Sequence, residues 1–189
     1  MEHVINQLYA VFATYQKPPD FAACECCMTA DEKSTLLTKP LRKLSADELS
    51  GYAADAFFTV GEVSDFKYFL PRILELSVRD EFQWPDAEVV TRKLWLADWL
   101  DWPKEEHSVV SDLLKAKLAT LLEDPNTNGS QIDEWVCAFG RCLRDPTSFL
   151  EPLLEPQHAD KLLAFIDQNG SLFTKNKLDN AFWEDARES

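Results

Sequence analysis

A chain of 189 residues suits one domain or two small ones, and a globule of that size folds without metal or disulfide staples. Hydrophobic residues at 46%, with six Trp and twelve Phe, exclude wholesale disorder. The net charge of −14 is spread along the chain, sixteen acids against ten bases in residues 1–100 and seventeen against nine in 101–189. Neither half therefore offers the basic face that nucleic acid or an anionic membrane surface requires.

The opening stretch MEHVINQLYAVFATYQ has no cationic leader and no apolar run long enough for export or membrane spanning. With an odd count of five cysteines, the expected compartment is a reducing cytoplasm. The Asn128-Gly129-Ser130 sequon then has no use. Within that opening, Ile5, Leu8, Tyr9 and Phe12 recur at helical spacing, which predicts a helix over 3–15 that Pro18 and Pro19 stop.

The stretch FAACECCMTADE follows, with three of the five cysteines in four positions. Thr29 with Glu32 reads as a capping box opening a short helix over 30–38. Ser45 with Glu48 is a second box, and behind it Leu49, Tyr52, Ala53, Ala56, Phe57 and Val60 predict a helix over 46–60 capped at Gly61. Ser64 opens DFKYFLPRILELSV, in which Pro71 predicts a kink or two short helices meeting at Leu70.

Pro85 reads as the first-turn proline of a helix that runs to about Leu100 and is apolar nearly all round. Val110, Leu114, Leu118 and Leu121 stripe a helix over 104–122, and EDPNTNGS is a loop. Ser130 with Asp133 is expected to open the next helix, which Asp145-Pro146 ends. Segments near 147–153 and 157–168 follow with Gly170 as terminator, and a last helix is expected over about 172–186.

No segment alternates with period two, so the expected fold is all-α and a single domain spanning 1–189. An N-terminal helix, the cysteine loop and a short helix occupy 1–40, and helix pairs occupy 45–186. The pairs 46–60/64–79, 85–100/104–122 and 130–143/147–168 start about forty residues apart, a spacing typical of HEAT-like solenoids. No residue signature repeats between them, and a compact orthogonal helical bundle fits as well.

The segment KPLRKLSADELSGYAADAFFTVGEVSDFKYFLPRILEL, with CECC upstream, resembles a family of uncharacterised bacterial proteins. Their pattern runs from a cysteine pair through PL..L...DL..YA..A..T.GDV.DF..FLPR.LEL. The resemblance covers residues 24 to about 100 and centres on Gly61, Asp65, Phe66, Phe69, Leu70, Pro71, Arg72 and Leu74. It implies a cytosolic, all-helical protein and supplies no activity. Relatives carry C-x-x-C with varied middle residues, which maps onto Cys24 and Cys27 and leaves Cys26 as an extra.

Cys24 and Cys27 have the knuckle spacing that lets two thiolates reach one zinc ion, making zinc the one candidate cofactor. A closed site needs four ligands, and no second C-x-x-C or H-x₃₋₅-H follows. Cys137 and Cys142 point to different helix faces, roughly 140° apart, so only one of them with His3, His107 or His158 would complete a site. A redox pair needs a lowered thiol pKa, which Glu25, Asp31 and Glu32 oppose, and a strand–helix–strand setting that is missing. Thiols lining a turn that packs the first helix onto the rest are the reading the sequence favours.

Glu155 to His158 spells half of a di-iron E-x-x-H pair, reads as surface, and has no second half. Trp95, Trp99 and Trp102 fall at i, i+4, i+7 and read as a core seam. No nucleophile elbow, zincin helix or glycine-rich phosphate loop is present, and no catalytic residue is assigned. Asp65, Tyr68 and Arg72 are the candidates for an interaction groove.

The functional expectation is accordingly a non-catalytic protein-binding or scaffold module. Its protein partner is unidentified, and a basic partner would suit the acidic surface. The alternative is a metal-binding or thiol-redox protein using Cys24 and Cys27.

Overall fold

The computed structural model describes residues 1–57, 59–173 and 180–183, and these form an all-α structure with no strand among them. Its helices are α1 (Glu2–Phe12), α2 (Ala30–Thr38), α3 (Ala46–Asp55), α4 (Val63–Val78), α5 (Ala87–Leu96), α6 (Lys104–Glu123), α7 (Gly129–Cys142), α8 (Thr147–Leu150) and α9 (Ala159–Phe173). Short 3₁₀ turns at Leu41–Lys43, Trp99–Asp101, Glu151–Leu154, Pro156–His158 and Ala181–Trp183 join or follow them. No helix among the described residues is long and apolar enough to cross a membrane. The helix expected over about 172–186 lies largely outside the described residues.

Both capping boxes read from the sequence are formed. Thr29 and Ser45 side chains accept from the backbone N–H of Glu32 and Glu48, whose carboxylates reach back to the cap N–H groups. Elsewhere the ends move. α3 stops at Asp55 because Ala56 turns extended and Phe57 takes a φ of 67°, so the apolar stripe that continues to Val60 is buried through a turn. α7 opens two residues before the expected cap, where Asn128 and Gln131 make the reciprocal pair. α9 runs through Gly170 to Phe173, since solvent surrounds that glycine and nothing there demands a stop.

Pro71 does not divide α4, which is one continuous helix. Its missing N–H deprives the Lys67 carbonyl of a partner, at roughly 3 kcal/mol. Eleven of the sixteen residues of α4 are buried, and each fully buried large apolar side chain contributes roughly 1.5–3 kcal/mol. Phe66, Phe69, Leu70, Ile73, Leu74 and Leu76 together outweigh the proline.

α4 is the helix on which the others converge: α1, α3 and α5 all pack against it. α1 also lies along α6, α5 along α7, and α7 along α9. The most extensive contacts thus join helices that are not consecutive, and α1 closes back onto α6 across some ninety positions through Tyr15 and Glu106. Solenoid units touch only their sequence neighbours, so the packing is that of a compact bundle.

Two polar clusters pin α1 in place. Lys67 Nζ donates to Glu106 Oε2 at 2.7 Å and to Tyr15 Oη at 3.1 Å, while Tyr15 donates to Glu106 Oε1 at 2.6 Å. The ammonium stands 4.1 Å over the Trp102 ring. On the other side Glu75 accepts from Tyr9 at 2.7 Å and from Arg72 at 2.8 Å.

The segment expected as one long helix over 85–100 breaks after Leu96, and Asp98 takes a φ of 51°. Trp95, Trp99 and Trp102 therefore share no helical face. Trp99 is fully buried, stacks on His107 at 5.0 Å and donates to the Cys142 carbonyl at 2.7 Å, a bond tying this corner to α7. Nor is α5 apolar all round: Glu88, Thr91 and Lys93 are buried, while Leu96 is exposed.

Glu88 is 2% exposed and accepts from Asn180 through Oε1, but its Oε2 is buried without a hydrogen-bond partner. Burial pushes its carboxyl from 4.5 up to about 7. The folded chain therefore favours the protonated form, so stability from this group is full below the unfolded value and is lost as pH climbs from 4.5 to about 7. Glu88→Gln keeps the acceptor for Asn180 and removes that loss. Its advantage over wild type in urea midpoint is expected to grow between about pH 5 and about pH 8; an unchanged difference would disprove the assignment.

Candidate functional site

The chain between α1 and α2 carries the cysteines, and its ends are anchored by burial. Phe21 and Met28 are 5% and 6% exposed, and the Phe21 ring meets Tyr52 and Phe69 edge-on at 5.5 and 6.1 Å. Asp20 and Lys33 bridge at 2.6 Å, closing the base of the loop.

Between those anchors the backbone is sewn to the turn that follows α3. The Cys24 N–H donates to the Thr59 carbonyl at 3.0 Å, and the Gly61 N–H donates to the Ala22 carbonyl at 2.8 Å, so Ala23 and Val60 pair as an isolated antiparallel bridge. Gly61 is required there twice over. Its φ is +67°, and a Cβ would stand 2.9 Å from the buried Tyr52 hydroxyl.

Around Cys24 the chain then closes on itself. The N–H groups of Cys27 and Met28 both donate to the Cys24 carbonyl, at 2.9 and 3.0 Å. This tight turn brings the side chains of positions 24, 26 and 27 together. Cys24 and Cys26 Sγ are 2.7 Å apart, Cys26 and Cys27 Sγ 3.7 Å apart, and all three sulfurs lie within 4.8 Å of one another. Cys24 and Cys26 are exposed and Cys27 half-buried.

Cys24 and Cys26 differ in acidity because they share a proton. A hydrogen bond from Cys26 lowers the Cys24 thiol below its ordinary value. The same bond, with a second to Cys27, pushes Cys26 up to about 11. Of these two, Cys24 is therefore the thiolate-prone sulfur and Cys26 the proton holder.

The arrangement fits a thiophilic ion. Sulfurs around a tetrahedral ion at a metal–sulfur distance of about 2.3 Å stand about 3.8 Å apart. Cys26 and Cys27 already meet that spacing, and Cys24 needs to open from Cys26 by about 1 Å, a side-chain rotation at an exposed position. Among the described residues no histidine or carboxylate joins the cluster.

The spacing argument chose Cys24 and Cys27 and left Cys26 aside, whereas the structure places Cys26 against both. The signal was local: a four-residue turn closed by a 27-to-24 backbone bond gathers all three side chains together. Cys137 and Cys142 are buried in α7, where burial raises both thiols well above their ordinary values. His158 is half-buried beside Phe149 and Pro152, in the wall of an apolar cleft.

The groove candidates lie along α4. Asp65 Oδ2 accepts from the Glu62 N–H at 3.0 Å, and Arg72 donates to the Leu44 carbonyl and to Glu75, both at 2.8 Å. Tyr68 is half-buried, edge-on to Phe69 at 4.9 Å. Asp65 and Arg72 are thus engaged in holding the helix start and the α3 approach. No family model, curated protein or solved structure matches this chain.

Proposed function

We propose that this protein binds a thiophilic metal ion through Cys24, Cys26 and Cys27. One observation carries the reading: three sulfurs converge within 4.8 Å on a loop whose backbone is fixed from both sides. Preorganisation of that kind reduces the ordering cost of binding and is wasted on a purely structural turn. A soft, all-sulfur donor set selects zinc, cadmium or copper(I) over oxygen-seeking ions.

The test is a Cd(II) titration of reduced, tag-free protein, followed by thiolate charge-transfer absorption and elemental analysis. One ion per chain is expected. Each single Cys→Ser change in the trio is expected to weaken binding by about tenfold or more, and the triple change to abolish it. Bound sulfurs must lose their protons, so affinity is expected to rise with pH. Equal uptake by wild type and triple variant ends the reading.

The protein-binding reading draws support from Leu163 and Ile166, neighbours on one face of α9 that are 59% and 38% exposed. It is carried less far, because nothing among the described residues specifies what would cover them.

A further inference from the structure

We infer that the loop takes copper(I), bound by three thiolates in a trigonal shell with one face left open. This rests on the metal-binding reading above and narrows it to a charge state, a coordination number and a mode of exchange.

The donor count is the first argument. A closed zinc site is four-coordinate, and among the described residues the cluster offers three donors, with no His, Asp or Glu side chain within the same reach. Copper(I) has a filled d shell, prefers thiolate sulfur, and is satisfied by two or three such ligands. Three sulfurs and nothing else form a complete shell for it and an incomplete one for zinc.

The origin of the donors is the second. All three come from one four-residue turn, so they approach an ion from a single side. Supplying a fourth ligand from the opposite side would take a second segment of chain. That side instead faces solvent, since Cys24 and Cys26 are exposed. The turn is also held at a fixed place, by the Cys24–Thr59 and Gly61–Ala22 backbone bonds, so it does not fold over the ion to enclose it.

An open face has a chemical consequence. A thiolate from another molecule can add to the ion while the three resident sulfurs still hold it, and the resident bonds are then lost one at a time. No electron moves in this exchange: copper stays monovalent, the incoming sulfur sheds a proton, and each departing cysteine regains one. Such a site suits an ion that is handed on.

The experiment uses the full chain, chelator-stripped and reduced, under anaerobic conditions. Copper(I) is titrated in competition with bicinchoninate, and the loaded protein is measured by X-ray absorption. One copper(I) per chain is expected, with three sulfur neighbours and no nitrogen or oxygen neighbour. Cys26→Ser is expected to reduce the shell to two sulfurs and the affinity by at least about tenfold. Reduced glutathione in excess is expected to draw copper from wild type through a ternary species of four sulfurs. Circular dichroism melts confirm that the surface substitution leaves the fold intact.

A two-sulfur shell in wild type, a shell containing nitrogen or oxygen, or a Cys26→Ser variant with undiminished affinity overturns this inference. Cd(II) or Zn(II) binding that still depends on all three cysteines would then leave the metal-binding reading standing. Failure of every ion to distinguish wild type from the triple Cys→Ser variant overturns both.

Discussion

Replacing Lys67 by methionine is expected to destabilise the protein by about 3–5 kcal/mol, the cost of breaking a buried ion pair from one side. Lys67 and Glu106 are 8% and 7% exposed, and every polar atom of the pair is used. Glu106 holds Lys67 through Oε2 and Tyr15 through Oε1, and the ammonium lies against the Trp102 face. Removing the cation leaves a carboxylate in an apolar wall with one hydroxyl for company. The damage also spreads, because Tyr15 follows α1 and Glu106 lies in the first turn of α6, so the pair is part of what holds those helices to α4.

A second variant separates net attraction from the penalty of an orphaned charge. Lys67→Met with Glu106→Leu removes both ions and is expected to recover most of the lost stability, since an apolar replacement of similar volume avoids the desolvation. Urea denaturation of the two singles and the double measures this directly. A double variant as unstable as the worse single would show that packing around Tyr15 and Trp102, not charge, dominates.

The second large effect is expected at Gly129→Ala. A Cβ there would stand 2.2 Å from the Ala164 carbonyl oxygen and 2.8 Å from its carbon, in the backbone of α9. No side-chain rotation relieves a clash with backbone, so α9 must move away from α7. Two buried connections depend on its present position. Asn169 donates to Asp133 at 3.0 Å, and Lys161 donates to the Asp124 and Thr127 carbonyls at 2.7 and 3.3 Å. The expected loss is roughly 2–4 kcal/mol, with hydrogen-exchange protection falling first in α9. Gly170→Ala is the internal control. It lies in α9 itself with open space around it, and is expected to be neutral or to stabilise by roughly 0.5–1 kcal/mol. If both alanines behave alike, close approach is not what Gly129 provides.

What could be read from residues alone follows a physical division. Capping boxes are local, and Thr29 with Glu32 and Ser45 with Glu48 were legible because each donor and acceptor lies within four positions. Apolar periodicity reports burial and not conformation. It therefore carried α3 on to Val60, which is buried, although the chain has already left the helix at Ala56. Proline propensity is outvoted at Pro71 by a core that comes from distant helices. Reading 85–100 as apolar nearly all round passed over Glu88 and Lys93, which are both buried in α5.

The site divides in the same way. The sequence displayed the thiols, and knuckle spacing selected Cys24 and Cys27. The convergence of all three follows from the local 27-to-24 turn, whereas the anchoring of that turn to Thr59 and Gly61, more than thirty positions away, is beyond any spacing rule. The resemblance over residues 24 to about 100 spans both pieces of that joint without revealing that they touch.

The five thiols fall into two populations, three on a loop at the surface and two sealed inside α7. Alkylating reagents meet the outer group in the intact molecule and gain entry to the inner pair only when the bundle opens. The ratio of slow to fast labelling is thus a built-in gauge of integrity, readable in a crude extract without a ligand, an assay or an antibody.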